Sequence, residues 1–571
     1  MSSRARLTGI PASPGMGVGP AWWHRRRPAV APRAPGAPAD ERARLDAARR
    51  EAADEIRTLL SRAADRIGSE EAGIFHAHLL MLDDPDLLEQ VARGIEAGAP
   101  AEAAWDTAVQ SYAAKIAALP GEVFQARAAD VRDVGDRVLR RLAGVETTWK
   151  LPDHPVVVMA EELTPSDTVD LTEGRVAAIC TAGGGPTSHA AILARRLGVP
   201  AVVGLGDALH QVGQDTLLLV DGETGEVVLE PTAAEQHAAR QREAERRSRR
   251  AALMADAAMP AVTRDGVRIE VAANVGGTAD AEAAIRAGAD GIGLLRTEFL
   301  YLDRAQEPDE DEQVGMYRTI LRLMGPRPVV VRTLDAGGDK PIPYLPLPPE
   351  PNPFLGVRGI RLAARYPELL SRQLRAILRA GAGHAVRIMF PMVTTVDEMR
   401  ALRELAERER AALSRRGVPV PDNLQIGMMV EVPSAALLAG RFLPWTDFFS
   451  IGTNDLTQYT LAADRTNAAV AGLADGLHPA VLRLIQTVTA AAAPAGKWVG
   501  VCGELAADDV ATPLLLGLGV TELSMTPAAV PGVKAAVRKW SLGGARRLAA
   551  EALEAPSAEA VRDMARGAEA S

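Results

Sequence analysis

Cysteine and aromatic side chains are scarce in this chain of 571 residues, which contains two cysteines and 4% aromatic residues. Cys180 and Cys502 cannot build a disulfide framework, so we expect a reducing, cytoplasmic setting. The low aromatic content excludes little, because the 47% hydrophobic and 24% charged fractions are those of a folded globular protein. The length is too great for one hydrophobic core and predicts several domains.

A basic surplus, a long apolar run and a nucleotide-binding loop are also missing. The formal net charge is −9 without a basic stripe, so we expect no nucleic acid partner. No run is long and apolar enough for a signal peptide or a membrane span, so we expect no membrane insertion. The pattern GxxxxGK followed by Ser or Thr does not occur, so the glycine run at 183–185 is not the usual nucleotide loop.

The hydrophobic pattern changes along the chain. Short apolar runs precede residue 23 and resume after Leu151, and between them a proline-rich stretch leads through Asp40, a candidate helix cap, into four predicted helices. The charged run from Ala233 to Ala257 predicts a solvated connector helix. From about Pro260, eight apolar runs each precede a helical stretch, which predicts a (β/α)8 TIM barrel at the C-terminal end of a multidomain α/β protein. These runs are RIEVAANV, DGIGLLRTEF, PVVVRTLD, AVRIMFPM, QIGMMVEV, DFFSIGTND, WVGVCGEL and ELSMT.

Polar side chains follow these runs at the end where such barrels carry their chemistry. Arginines there suit a bidentate grip on phosphate or carboxylate, although either one alone can be a surface ion pair. Two acidic residues after consecutive runs can share a hard cation, for which Mg2+ fits better than zinc, or they can be helix caps or ion-pair partners. Cys502 can be a small buried hydrophobe or a proton donor to carbon. The polar residues at these ends are Asn274, Arg296, Glu298, Arg332, Asp335, Glu431, Asn454, Asp455 and Cys502.

His189 stands at the start of a predicted helix, directly after the glycine-rich stretch GGGPTS. An imidazole without metal-ligand neighbours can attack phosphorus, and the amides of a glycine-rich helix start can hold the phosphoryl group. The alternative is a capping or buried histidine. The local pattern by itself leaves both interpretations open.

Several motifs together resemble those of the phosphoenolpyruvate-utilising enzymes. GGGPTSHAAILAR is similar to their phosphohistidine signature, and further matches are GIPASPGMGVG, IFHAHLLMLDDPDL, DGIGLLRTEFLY, RTLDAGGDK, NPFLGVRGIR, MMVEVPSA and IGTNDLTQYTLAADR. These motifs span essentially the whole chain. The chain is identified as a member of the Enzyme I family, the phosphoenolpyruvate-protein phosphotransferases of the bacterial sugar phosphotransferase system.

The resemblance implies a reaction and its residues. Phosphoenolpyruvate would bind in the barrel mouth with Mg2+, phosphorylate His189 and leave as pyruvate, and the phosphoryl group would pass to the phosphocarrier protein HPr. The enzyme would be cytoplasmic and would form a homodimer through the barrel. By motif match, Cys502 would donate the proton, Thr168 would orient the histidine and Arg195 would support it. The metal ligands would be Glu431 and Asp455, and the substrate-binding residues would be Arg296, Arg332, Arg358, Asn454, Asp455 and Arg465.

The resemblance also implies domains, departures and rivals. Pro186 stands where many relatives carry Arg, and Val357 replaces a common Trp. Phosphoenolpyruvate synthase and pyruvate phosphate dikinase share the histidine motif, but they also need an ATP-binding domain for which the chain has no room. A catalytically silent binding module is the other alternative. The expected domains are a phosphohistidine α/β domain (1–23 and 145–230), an inserted helical HPr-binding domain (24–144, with a proline-rich connection 24–39), a helical linker (231–259) and a phosphoenolpyruvate-binding and dimerisation barrel (260–571).

Overall fold

The structure is a computed structural model in which the chain forms two compact units, Met1–Arg249 and Arg250–Ser571. For residues 61–66, 122–126, 189 and 196 the backbone alone is described. Within the described part, no helix has the length and apolar character needed to cross a membrane. The structure describes residues 5–24, 33–66, 75, 78–118, 122–144, 151–163, 171, 174–185, 188–302, 304, 306–337, 342, 344–345, 347, 350–465, 467 and 469–568.

The described residues between 38 and 143 of the first unit are mostly helical. Its helices are α1 (Pro38–Arg66), α2 (Pro85–Glu96), α3 (Ala101–Ala117) and α4 (Glu122–Ala143), and residues 78–82 are helical as well. The sequence pattern missed α2 as a separate helix. It begins there because the Asp84 side chain caps two amides and Pro85 takes the first helical position. Asp40 lies in the first turn of α1 and is not its N-cap, because that helix begins at Pro38.

Strands on both sides of this helical insertion form one sheet. Among the described residues its order is β1-β8-β7-β3-β4-β5-β6-β2, and β3 pairs directly with β4 in parallel, although the helices separate them in sequence. The strands are β1 (Arg6–Thr8), β2 (Ile10–Ser13), β3 (Met16–Trp23), β4 (Val156–Ala160), β5 (Val176–Thr181), β6 (Ala201–Val203), β7 (Leu217–Asp221) and β8 (Glu226–Leu229). Helix α5 (His189–Leu197) connects β5 and β6.

Helix α5 packs on one face of the sheet, so that the central strands are buried on both sides. Val156 and Val158 of β4 share a cluster with Ala190 and Leu193 of α5, whereas Val157 belongs to the opposite cluster. This double burial explains why β4 reads as a continuous apolar run instead of an alternating one. The helix follows β5, an inner strand of the sheet, and His189 is its first residue.

The connector is helix α6 (Ala233–Ala255), and its first half is attached to the sheet of the first unit. Ala239 packs against Leu219 and Val228, and Glu243 accepts a hydrogen bond from the Met16 N–H at 3.1 Å. The remainder of the helix is mostly exposed and charged, as the sequence predicts.

The second unit is a closed barrel, and the predicted fold class is thereby confirmed. Eight described strands, β10 to β17, pair in parallel in chain order, and the β10–β11 pairing closes the ring. A short strand that the sequence did not predict, β9 (Ala261–Val262), pairs antiparallel with β10. The barrel strands are β10 (Arg268–Val275), β11 (Ile292–Leu295), β12 (Val329–Arg332), β13 (Val386–Phe390), β14 (Gln425–Val430), β15 (Phe449–Ile451), β16 (Val499–Val501) and β17 (Glu522–Met525).

Helices cover the outside of this barrel, and a separate group of side chains fills its inside. Along β16, Val499 and Val501 join the outer core, whereas Cys502, in step with Gly500, joins an inner cluster with Met389 and Met429. The helices are α7 (Thr278–Arg286), α8 (Glu310–Met324), α9 (Ile360–Arg365), α10 (Pro367–Ala380), α11 (Val396–Arg415), α12 (Pro433–Leu437), α13 (Ala439–Phe442), α14 (Thr453–Leu461), α15 (Pro479–Ala492), α16 (Ala511–Gly517), α17 (Val530–Lys539), α18 (Leu542–Leu553) and α19 (Ala558–Gly567).

Candidate active site

Arg332 is the last residue of β12 and lies buried between two carboxylates at the C-terminal end of the barrel. Its Nη2 donates to Glu298 Oε1 at 2.6 Å, and its Nη1 lies 3.1 Å from Asp335 Oδ2. Burial opposes its charge, but the carboxylates of Glu298 and Asp335 outweigh that effect and raise the pKa of Arg332. The guanidinium is therefore charged and held in one orientation.

Arg358 extends the same cluster. Its Nη2 and Nε bind the two oxygens of Asp335 at 3.0 and 3.3 Å, and its Nη1 donates to Asp455 Oδ1 at 3.0 Å. Arg465 Nη1 lies 3.4 Å from Asp455 Oδ2, at the more exposed side. Asp335 and Asp455 thus link three arginines, because each carboxylate serves two guanidinium groups.

Glu431 follows β14 directly and is 1% exposed. Its Oε1 accepts a hydrogen bond of 2.6 Å from the N–H of Met392, a buried residue whose positive φ of 57° is strained for a residue with a side chain. Burial and the neighbouring charges of Asp335 and Asp455 raise the pKa of Glu431 to about 8, so its carboxyl group is largely protonated at neutral pH when no cation is bound.

The acidic side chains of this cluster are candidate ligands for a divalent cation. Its described members hold four carboxyl groups (Glu298, Asp335, Glu431 and Asp455) and three guanidinium groups (Arg332, Arg358 and Arg465). Within the described residues, no three or more His, Cys, Asp and Glu side chains are arranged as a metal site. Mg2+ needs only one or two carboxylates when a substrate supplies further oxygens, so a pair of acidic side chains is sufficient.

Two buried donors in the cluster suit an anion. Arg332 Nε is buried and hydrogen-bonds to none of the described residues, and Arg465 Nη1 makes no hydrogen bond to them beyond its 3.4 Å ion pair with Asp455. The guanidinium groups of Arg358 and Arg465 lie 6.0 and 5.9 Å from the centre of the Phe354 ring, which restricts their movement. Buried donors normally have partners, so these two fit an acceptor brought by a ligand.

Cys502 follows β16 and lies inside the barrel with 3% of its surface exposed. Its Sγ lies 3.7 Å from the carbonyl oxygen of Ile451. Burial raises the pKa of Cys502 to about 11, against smaller opposing effects of Ser450 and Arg332. The thiol is therefore protonated at neutral pH, which is the state a proton donor needs.

Two residues that the motifs assigned to substrate binding make no contact with this cluster in the described structure. Arg296 follows β11 and is exposed, and its backbone N–H donates to the carbonyl of Val275. Asn454 contacts Glu504 instead: its Oδ1 accepts the Glu504 N–H at 2.9 Å, and its Nδ2 lies 3.4 Å from Glu504 Oε1.

The start of α5 forms the second candidate site. Ser188 is the N-cap of this helix, and its side chain accepts from the Ala191 N–H, so His189 occupies the first helical position. Gly184 has a φ of +87°, a conformation that suits glycine in the turn before the helix. Arg195 is exposed and donates to the carbonyl of Ala12 at 2.9 Å. Thr168 and Pro186 lie outside the described residues, as does the His189 side chain.

Several residues that hold the barrel site in place had no role assigned from sequence motifs. Glu298 and Asp335 were visible at strand ends, but their pairing with Arg332 required the fold. Tyr459 contacts Arg358, and its spacing of four from Asp455 on α14 is a signal that was available. Gln373 lies on α10 and accepts a hydrogen bond of 2.9 Å from the Leu334 N–H. No local sequence motif predicts this contact.

Comparison with known protein families gives three matches along the chain. The N-terminal domain of the phosphoenolpyruvate-utilising enzymes matches residues 8–127, and their mobile domain matches residues 152–225. Their phosphoenolpyruvate-binding domain matches residues 250–542, which include the arginine–carboxylate cluster.

Curated relatives match over nearly the full length. The phosphoenolpyruvate-protein phosphotransferase of Haloferax volcanii is 46% identical over 569 residues, 98% of each chain. That of Geobacillus stearothermophilus is 45% identical over 526 residues, 91% of this chain and 90% of the relative. The multiphosphoryl transfer protein of Xanthomonas campestris is 44% identical over 565 residues, 98% of this chain and 66% of the relative. The chain therefore belongs to the phosphoenolpyruvate-protein phosphotransferases, the Enzyme I family of phosphoenolpyruvate-utilising enzymes.

Proposed function

We propose that the chain transfers the phosphoryl group of phosphoenolpyruvate to His189, releases pyruvate, and passes the phosphoryl group on to HPr in the first step of sugar uptake. The observation that carries this proposal is the buried cluster at the C-terminal end of the barrel, with Arg332 and Arg358 held by Glu298, Asp335 and Asp455. A fixed set of arginines beside acidic ligands is the arrangement expected for a small phosphorylated acid.

Phosphoenolpyruvate carries a carboxylate and a phosphate, and both need donors. Arg332 Nε and Arg465 Nη1, buried without hydrogen-bond partners in the described structure, can donate to these groups. Arg296 is exposed after β11 and can close on the substrate from the rim, and Arg358 and Asn454 are proposed as further contacts. Because Arg332 and Arg358 are held before substrate binds, they lose little side-chain freedom on binding.

Glu431 and Asp455 would hold Mg2+, and their fit rests on their proximity: the charge of Asp455 contributes to the raised pKa of Glu431, and a cation between them would favour the ionised form of both. A bound Mg2+ would offset negative charge on the phosphate and on the enolate oxygen. Met392 holds Oε1 of Glu431 in place through its N–H. Glu431 is thus held by a backbone hydrogen bond, whereas Asp455 also forms ion pairs with Arg358 and Arg465.

Loss of the phosphoryl group leaves the enolate of pyruvate, which needs a proton at its terminal carbon. Cys502 is protonated at neutral pH and can supply it: the S–H bond breaks, a C–H bond forms, and the thiolate later recovers a proton from water. Arg332 is near enough to lower the pKa of this thiol, and that effect favours the release of its proton.

The start of α5 would receive the phosphoryl group. The free N–H groups in the first turn of a helix attract anions, and His189 is the first residue of this helix. Thr168 and Arg195 are proposed to support the histidine by motif match. Since Arg195 donates to Ala12 in the structure, its support would come from fixing the turn of α5 onto β2.

The helical segment between β3 and β4 is proposed to bind HPr. Leu80 is 76% exposed, and the adjacent sequence contributes Leu79 and Leu82 to a recess of about 450 Å³ that Arg49 and Arg57 also line. Because a single exposed apolar side chain is common on protein surfaces, the proposal rests on this recess together with the motif match at residues 74–87.

The barrel is proposed to form a homodimer, in a cytoplasmic protein. Leu355, Leu437 and Leu473 are 65%, 65% and 67% exposed, and they lie in the segments that follow β12, β14 and β15. These exposed leucines are the apolar side chains that such a contact would bury.

Labelled phosphoenolpyruvate tests the proposed function. With Mg2+ and no nucleotide, we expect the label on the intact protein and its transfer to HPr when HPr is added. His189→Ala should abolish both, whereas His154→Ala, which changes an exposed histidine of the same unit, should leave both intact. Labelling that requires ATP would instead indicate a phosphoenolpyruvate synthase or dikinase, and labelling of His189→Ala would contradict the assignment.

A further inference from the structure

The carbonyl of Cys502 lies one residue beyond the end of β16, where the strand ladder stops. This carbonyl oxygen accepts a hydrogen bond from a side chain: Nδ2 of Asn274 donates to it at 3.0 Å. Asn274 belongs to β10, and β17 lies between β10 and β16 in the barrel. The Asn274 side chain therefore reaches across one strand to hold the backbone of the residue that carries the thiol.

The Cys502 carbonyl determines which way the Asn274 amide faces, because a carbonyl oxygen only accepts and therefore takes the NH2 end. Ser524 of β17 complements this orientation: it is fully buried, and its Oγ donates to Oδ1 of Asn274 at 2.7 Å. In both hydrogen bonds, from Ser524 to Asn274 and from Asn274 to Cys502, the donor and the acceptor are thus defined.

The other side of the same segment is held as well. A Cβ at Gly503 would lie 2.0 Å from Thr453 Oγ1, so the backbone after Cys502 packs directly against the start of α14. Oδ1 of Asn454 accepts the N–H of Glu504. Cys502 accordingly stands in a short segment fixed by one asparagine on each side.

We propose that Asn274 is a positioning residue for the protonation of the enolate: held by Ser524, it fixes the backbone of Cys502 and thereby the direction of the thiol. This inference rests on the proposed role of Cys502 as proton donor. Asn274 acts through Cys502, so its loss slows proton delivery and leaves the binding of phosphoenolpyruvate unchanged.

A double-mutant cycle tests this dependence. Asn274→Ala removes both ends of the bridge, and Asn274→Asp keeps the shape of the side chain but removes the N–H donor. We expect each to lower kcat for pyruvate formation at least tenfold while KM for phosphoenolpyruvate changes less than twofold. Ser524→Ala should lower kcat less than either, because the Asn274 amide can still reach the carbonyl. Asn423→Ala, a change of an exposed asparagine on the same unit, should leave both constants unchanged.

The Cys502→Ala background separates positioning from a structural effect. There, Asn274→Ala should change the residual kcat less than twofold, because the group it positions is gone. An equal tenfold loss in both backgrounds, or a raised KM with unchanged kcat, would overturn the proposal. Thermal unfolding of each variant identifies a folding defect, and an Asn274→Asp variant as active as the parent would also overturn it.

The cycle also distinguishes failure of this inference from failure of the proposed function. If Cys502→Ala turned over at the normal rate, the thiol would not be the proton donor, and the positioning role would fail with it. If Cys502→Ala were impaired but Asn274→Ala were normal, the proposed function would stand and the positioning role alone would be wrong.

Discussion

Replacing Asp335 by Asn tests whether the buried arginines depend on their carboxylate partners. Asp335 is 3% exposed, and its oxygens bind Arg358 at 3.0 and 3.3 Å and Arg332 at 3.1 Å. Asparagine has nearly the same size and retains one acceptor oxygen, but it carries no charge. The substitution therefore removes the electrostatic part of the cluster with little change in packing.

The magnitude follows from burial. Breaking a buried ion pair by neutralising one partner costs about 3–5 kcal/mol. The lower end applies here, because Arg332 keeps Glu298 and Arg358 keeps Asp455. Loss of the Asp335 charge also removes a repulsion that raises the pKa of Glu431. We expect a loss of about 3 kcal/mol in the stability of the barrel, or roughly 5 °C in its Tm.

Calorimetry of the purified variants measures this loss, since it follows the unfolding of the barrel directly. The matched control is Asp311→Asn, which breaks an ion pair of 2.7 Å with Arg379 on the same unit but at an 82% exposed side chain. Exposed pairs contribute less than about 1 kcal/mol, so its Tm should fall by no more than roughly 2 °C. Equal Tm values for the two variants would refute the reasoning. KM for phosphoenolpyruvate should rise in Asp335→Asn alone.

Three further outcomes are expected. Gly503→Ala places a Cβ 2.0 Å from Thr453 Oγ1 and 2.8 Å from its backbone N, so it should displace Cys502 and lower kcat at least tenfold in a steady-state assay, and normal turnover would contradict the packing. Ser188→Ala removes the cap of α5 and should destabilise the first unit by about 1 kcal/mol in calorimetry, whereas Ser188→Gly should cost less. Burial opposes ionisation of Glu243, but hydrogen bonds from two arginines and the Met16 N–H outweigh it and lower its pKa from 4.5 to about 2. The ionised Glu243 thus stabilises the protein above pH 4.5, and this stabilisation is lost as the pH falls toward 2. Between pH 6 and pH 3, the Tm of Glu243→Gln should therefore fall less than the Tm of the parent.

The barrel could be predicted because its signals are local. Each of the eight apolar runs became a strand, and the run from Arg268 to Val275 matched β10 at both ends. The helical segment was less predictable. Asp84 and Pro85 are a strong signal for the start of a helix. The apolar spacing continues across them with little interruption, however, so the sequence pattern does not distinguish α2 from the helical residues before it.

Some residues of the candidate site could be predicted from the sequence and others could not. Arg332, Glu431 and Cys502 stand at strand ends, and a regular barrel brings such positions to one face whatever the intervening helices do. The side chains that contact these residues could not be predicted in this way. Asn274 reaches Cys502 across β17, and Gln373 reaches Leu334 from α10, so neither contact has a fixed spacing in sequence. Such contacts are set by strand register and helix rotation, which local patterns do not encode.

The raised pKa of Glu431 has a consequence for binding. At neutral pH its carboxyl group is largely protonated without a cation, so Glu298, Asp335 and Asp455 balance the guanidinium groups of Arg332, Arg358 and Arg465. A bound divalent cation would favour release of the Glu431 proton and would place positive charge beside the donors that attract the multiply negative phosphoenolpyruvate. Each ligand therefore reduces the electrostatic cost of binding the other, and by linkage the effect is reciprocal.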